Sequence, residues 1–169
     1  MHGDNETFFR EITLKICGTL DSEKALWQSL MYLRRYMPVV RITFHIYTPD
    51  PDTIETIAYA NPGSSVVLSV KTAVAGGALE TIQSLLASNN VRIVDSVGDH
   101  TLMGPVARDL RQPEAACMVM GLPLDEELSG FLAVSAGPET TFTEEHAHLL
   151  STTREAFAIA HVRSRLSLA

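Results

Sequence analysis

The stretch GFLAVSAGPETTFTEEHAHLLSTTREAFAIA, Gly130–Ala160, joins a run without charge to an amphipathic run. Up to Ala136 it reads as a buried strand, because short apolar runs bounded by turn residues suit a sheet interior. Thr143 then stands where a helix cap belongs. Its hydroxyl can accept a first-turn N–H, and Glu144 and Glu145 follow where the helix dipole favours negative charge. Phe142, just before the cap, can staple onto the first turn. The stripe His146, Leu149, Leu150, Thr153, Phe157, Ala160 and Ser164 predicts one long helix to Leu166, inside a C-terminal helical segment spanning 142–168.

Upstream of this stretch, AACMVMGLPL (Ala115–Leu124) and LSGFLAVSA (Leu128–Ala136) read as a strand pair joined by an acidic turn at Asp125–Glu127. Another pair lies earlier. VRITFHIY (Val40–Tyr47) alternates, with Ile42, Phe44 and Ile46 on one side and Arg41, Thr43, His45 and Tyr47 on the other. TPDPD is a turn by composition, and TIETIAYA (Thr53–Ala60) is its antiparallel partner. Residues 61–113, cut by Pro62, Gly63, Gly76, Gly77, Gly98, Gly104 and Pro105, are expected to be the least regular, with ALETIQSLLAS helical and VRIVD a strand.

At the start, Phe9, Ile12, Ile16 and Leu20 mark one helical stripe, and residues 1–6 before it are expected to be mobile. Asp21 or Ser22 can cap a second helix carrying Leu26, Leu30 and Leu33, which must stop before Pro38. Helices at both ends and hairpins between them predict an α+β fold, a central antiparallel sheet with the terminal helices on one face. The 169 residues suit a single domain over 1–169.

Hydrophobic residues at 46% and charged residues at 20% are ordinary for a globular chain. A net charge of −7 argues against a nucleic-acid partner, since the densest basic group is only Arg34, Arg35 and Arg41. No apolar run approaches a membrane span, so no membrane partner is expected. Cys17 and Cys117 lack paired metal-ligand spacing, and with no leader pattern the expected compartment is a reducing cytoplasm.

The two ends resemble a GAF domain, the small-molecule sensor fold related to PAS domains. TLDSEKALWQSLMYLRRYMPVVRITFHIYTPDPDTIETIAYA is similar to the family's opening, and Gly130, Phe142, Thr143, Glu145 and Leu149 match its closing strand and helix start. The resemblance implies a pocket between one sheet face and the irregular middle segment. It also implies terminal helices that pair as a homodimer and signal to a downstream effector domain. The overall look is similar to the sensory domains of bacterial sigma-54-dependent transcription activators. The Asn-Lys-Phe-Asp-Glu signature of cyclic-nucleotide-binding relatives and the Cys-His neighbourhood of bilin-binding ones have no counterpart here. The methionine sulfoxide reductases of this fold use several cysteines around the pocket, which Cys17 and Cys117 do not reproduce.

Candidate ligand-binding residues follow. His45 and Tyr47 share a strand face that either looks into the pocket or is plain strand surface. Met118 and Met120, with Phe131 on the next strand, either line an adaptable pocket or fill a core. Arg111, with His100 and Arg108 in the lid-like loop region, suits a carboxylate or phosphate, or an ordinary surface ion pair. His146 and His148 are two apart on a helix and cannot face one ion, so no metal is expected. No catalytic triad, phosphate-cradling glycine loop or carboxylate pair appears, and no enzyme activity is expected. The expectation is a regulatory sensor of an unspecified small molecule. A ligand-free dimerisation module is the alternative, and a reductase-like enzyme a weaker one.

Overall fold

The structure, a computed structural model, describes residues 2–19, 21–49, 51–74, 76–87, 91–112, 115–124 and 129–160. The turn around Pro51 folds β1 (Val39–Thr48) back on β2 (Thr53–Asn61) as the alternation requires. β5 (Cys117–Pro123) and β6 (Ser129–Ala136) form the later pair, with the acidic turn between them outside the described residues. β6 then returns to lie antiparallel beside β1, which joins the two hairpins into one sheet. Together with β3 (Ser64–Ala73) and β4 (Arg92–Val94) they make a six-stranded sheet in the order β3-β2-β1-β6-β5-β4.

β3 corrects the expectation of an irregular middle. Its residues are mostly exposed on both sides, so no in-out pattern marks it in the sequence. The Pro62-Gly63 corner that leads into it is held by Asn61, whose Oδ1 accepts the N–H groups of Gly63 and Ser64, each at 2.8 Å.

The first face of the sheet is covered by α1 (His2–Cys17), α2 (Ser22–Leu33) and α5 (Glu144–Ser151). Residues 2–6, expected to be mobile, belong to α1. Its buried stripe is Phe8, Ile12 and Ile16, while Phe9 is 51% exposed, so the stripe starts one residue earlier than the spacing suggested. Leu20 lies outside the described residues. Phe8 meets the Tyr36 ring edge-on at 4.9 Å, and Tyr32 stacks on Tyr36.

α5 is the second difference. The helix starts behind Thr143 as expected: the Thr143 hydroxyl accepts the His146 N–H at 3.3 Å, and His146 Nδ1 accepts the Thr143 N–H at 3.1 Å. It does not run on unbroken. Ser151, Thr152 and Thr153 each turn a hydroxyl onto the carbonyl three residues back, at 2.6–2.7 Å, and residues 152–153 form a turn before helix resumes at 154–160. Such hydroxyls compete with the backbone ladder and break it. The part of the expected helix beyond 160, including Ser164 and Leu166, lies outside the described residues.

The second face is covered by α3 (Ala78–Ala87), a 3-10 turn (Val97–Asp99) and α4 (Met103–Asp109). α3 sits low on the sheet because Gly121 has no side chain. A Cβ there would lie 2.8 Å from the backbone carbonyl carbon and oxygen of Leu85. Among the described residues, no helix is long and apolar enough to cross a membrane.

One irregularity sets which β2 residues face which side. His45 pairs with Thr56 and Phe44 with Ala58, so Ile57 is an extra residue on β2. Thr56 and Ala58, two apart, therefore face opposite sides of the sheet. Tyr59 moves onto the second face, opposite Thr43.

Candidate functional site

The second face carries His45, Tyr47 and Phe131 together. His45 is buried at 2% exposure, with Nε2 at 2.6 Å from Thr43 Oγ1 and Nδ1 at 2.9 Å from Thr56 Oγ1. Its ring stacks on Phe131 with centroids 4.5 Å apart. Burial pushes its pKa down to about 3, so the ring is a neutral imidazole with one donor and one acceptor, each met by a hydroxyl that can rotate to suit. Thr56 meets His45 by plain alternation from the turn, in the same row as Ile54, and the bulge at Ile57 comes only after it. Tyr47 donates its hydroxyl hydrogen bond to Asp52, and its pKa is pushed up to about 12, mainly by burial and then by the carboxylate.

Met118 and Met120 lie on the other face, against the terminal helices. The register explains why: Met120 pairs with Leu132, whereas Phe131 pairs with Gly121. The expected grouping of both methionines with Phe131 is therefore not formed, and Met118, Met120 and Phe131 are all buried.

Arg111 sits at the end of α4 in a left-handed conformation, with φ 55°. Its N–H bonds Arg108 O at 3.1 Å and the next N–H, of Gln112, bonds Ala107 O at 2.9 Å. This is the pattern that closes helices on glycine. Arg111→Gly should therefore raise stability by about 0.5–1 kcal/mol in urea unfolding, because glycine adopts this conformation without the Cβ clash. A loss of stability would mean the Arg111 side chain makes contacts that outweigh the strain.

Besides a smaller one of about 250 Å³ beside Pro38 and Gly137, two clefts open at the surface among the described residues. One of about 350 Å³ lies between α3 and β4, lined by Glu80, Thr81, Ser84, Arg92 and His100. Arg92 donates to Ser84 Oγ at 2.7 Å, and His100 Nδ1 accepts the N–H groups of Leu102 and Met103 at the start of α4. Burial and then the Arg92 charge hold the His100 pKa down, which keeps that nitrogen free to accept. The other, of about 660 Å³, runs between α1 and α2 and is lined by Leu14, Trp27, Met31, Tyr32 and Arg35 among others. Among the described residues, no three His, Cys, Asp or Glu side chains group as metal ligands.

The two thiols lie apart. Cys17 packs on the cluster under the terminal helices, whereas Cys117 is buried in the cluster on the second face. Burial pushes the Cys117 thiol up to about 12, so it is not a ready nucleophile.

No family model and no curated protein sequence matches the chain. Solved structures do. The GAF domain of a phosphoenolpyruvate-protein phosphotransferase from Coxiella burnetii is similar with a TM-score of 0.66 at 17% identity, covering 96% of each chain. A phycocyanobilin-bound GAF domain from a cyanobacterial phytochrome gives 0.63 at 18% identity, again covering 96% of each chain. Free methionine-R-sulfoxide reductase from Neisseria meningitidis, in complex with its substrate, gives 0.62 at 14% identity, covering 96% of this chain and 91% of that one. The antiparallel sheet with terminal helices on one face and the middle segment on the other is the GAF fold, and this chain has it.

Proposed function

We propose that the chain is a regulatory sensor domain that binds a small molecule on the second face of the sheet and passes the signal through its terminal helices to an effector. The observation that carries this reading is the shared sheet. β1, β5 and β6 present one set of side chains to α3 and α4 and the alternate set to α1, α2 and α5, so a ligand that repacks one face acts on strands that support the other. Such a ligand transmits only if it binds the two helix arrangements unequally. Two of the similar structures hold a small molecule, phycocyanobilin in one and a substrate in the other.

In the same reading the chain is non-catalytic, works as a homodimer, and serves transcription regulation or signal transduction, with a sigma-54-type activator as one setting. Exposed Phe9, Leu14, Trp27 and Met31 on α1 and α2 supply apolar surface for pairing. The separated thiols support a non-catalytic role. His45, Tyr47 and Phe131 form the floor of the ligand face, with Arg111 at its α4 side. Met118 and Met120 act from the opposite face as the packing that senses a shift of the sheet.

A second reading is a ligand-free dimerisation module. It is favoured by His45 and Tyr47 being satisfied within the protein. Native mass spectrometry of gently purified protein separates the two. A dimer carrying a discrete extra mass is the expected result; a clean dimer that takes up nothing from a metabolite extract would replace the sensor reading with the second one.

A further inference from the structure

The face that carries His45 and Tyr47 also carries Arg41, and Arg41 differs from its neighbours in what it lacks. It pairs with Ser135 on β6, which in turn pairs with Cys117 on β5. The bulge at Ile57 turns Tyr59 onto the same face, where its phenol favours the charged guanidinium. The residue is half-buried, and among the described residues its Nε is fully buried with no hydrogen-bond partner. Burial depresses its pKa, and the groups that oppose this are a phenol and a thiol, Tyr59 and Cys117, neither of them a carboxylate.

A guanidinium withdrawn from water without an anion is costly, and buried donors in native proteins are almost always paired. His45 is engaged by Thr43 and Thr56 and Tyr47 by Asp52, whereas Thr72, opposite Ile54, shares with Arg41 a buried polar atom without a partner among the described residues. The cover over the face is uneven. α3 and α4 pack over Tyr47, Ile54 and Phe131, whereas beyond Tyr59 the facing residue on β3, Val66, is 47% exposed. Arg41, with an unused donor, thus lies near the less covered margin of the face. Its planar fork fits a carboxylate or a phosphate through two parallel bonds, and in a chain of net charge −7 such an anion is not attracted by the surface at large.

We propose that Arg41 is the anchor of the ligand site on this face, and that the ligand is a small anion carrying a carboxylate or phosphate group. This rests on the sensor reading above and adds the ligand's chemical class to it.

The test follows the arginine Nε–H resonances of nitrogen-15-labelled protein during titration with inorganic phosphate and, separately, with acetate. Ionic strength is held constant with chloride. The Arg41 signal is assigned through bonds from its own backbone, so this arm needs no variant. The expected result is a saturable shift of Arg41 that exposed Arg34 and Arg108 do not share. The stronger of the two probes tells phosphate from carboxylate. Arg41→Gln should then weaken that probe about tenfold or more, the loss of a charge-assisted hydrogen bond. An Arg41 resonance that moves no more than those of Arg34 and Arg108 overturns the proposal. If the native protein nevertheless retains a small molecule, the sensor reading survives and only the anion anchor falls; if it retains nothing and answers neither probe, both fall.

Discussion

Phe157→Ala lowers stability by about 3–5 kcal/mol in urea unfolding, the range for truncating a fully buried aromatic side chain. Phe157 is 0% exposed and meets the Phe44 ring edge-on at 5.7 Å, which ties the helical stretch 154–160 to β1. The turn at 152–153 makes this anchor more important. A helix that continued without interruption would hold residues 154–160 through its own ladder, but here the ladder is interrupted at 152–153, where three hydroxyls share its carbonyls. The neighbouring control is Ile159→Ala. Ile159 is 46% exposed, and its loss should stay within about 0.5 kcal/mol, as for surface substitutions. Equal losses at the two positions would mean that the stretch does not present Phe157 to the sheet.

Acid should destabilise the protein well before its carboxylates are protonated. His45 has a folded-state pKa of about 3 against an ordinary value of 6.5. Below 6.5 the unfolded chain takes up a proton that the folded chain refuses, so unfolding gains and stability falls as pH drops from 6.5 toward 3. The loss runs at about 1.4 kcal/mol per pH unit. By pH 5 this is about 2 kcal/mol relative to pH 7.5, measured as the change in urea unfolding free energy. His100, whose pKa is also held down, acts in the same direction. In His45→Gln the pH dependence between 7.5 and 5 should flatten by the His45 share, even though the variant starts less stable. An unchanged pH dependence would show that His45 is charged in the folded state, and the network with Thr43 and Thr56 would have to be redrawn.

Alternation and capping made most of the architecture legible. The β1 and β2 hairpin, the later strand pair, α3 and the Thr143 start of α5 follow from local chemistry that the chain keeps in the folded state, while α2 forms without a side-chain cap bond from Asp21 at its N-cap. β3 did not, because an edge strand exposed on both sides needs no inward stripe. The unbroken long helix was expected from its apolar stripe alone. The stripe is real up to Ala160, but three adjacent hydroxyl residues interrupt the backbone without disturbing the spacing.

The candidate site was only partly legible. His45, Tyr47 and Phe131 fall on one face, while Met118 and Met120 fall on the other, and the difference is a matter of register between β5 and β6. A one-residue change in pairing exchanges faces, and composition is blind to it. Arg41 stood in the same alternating row as His45. Nothing in the sequence says that its Nε goes unpaired among the described residues, since that depends on which side chains reach it.

β3 lies at one margin of the sheet and is ten residues long, whereas β4 at the other has three. Its only charged residue is Lys71, and Val66 and Val67 are both about half exposed. A long strand with an unpaired row of backbone donors and acceptors is a template for intermolecular pairing, and a single lysine is a thin guard against it. Concentrated preparations of this protein should therefore begin to aggregate along β3, and a second charge at Val67 would be the most economical way to keep them clear.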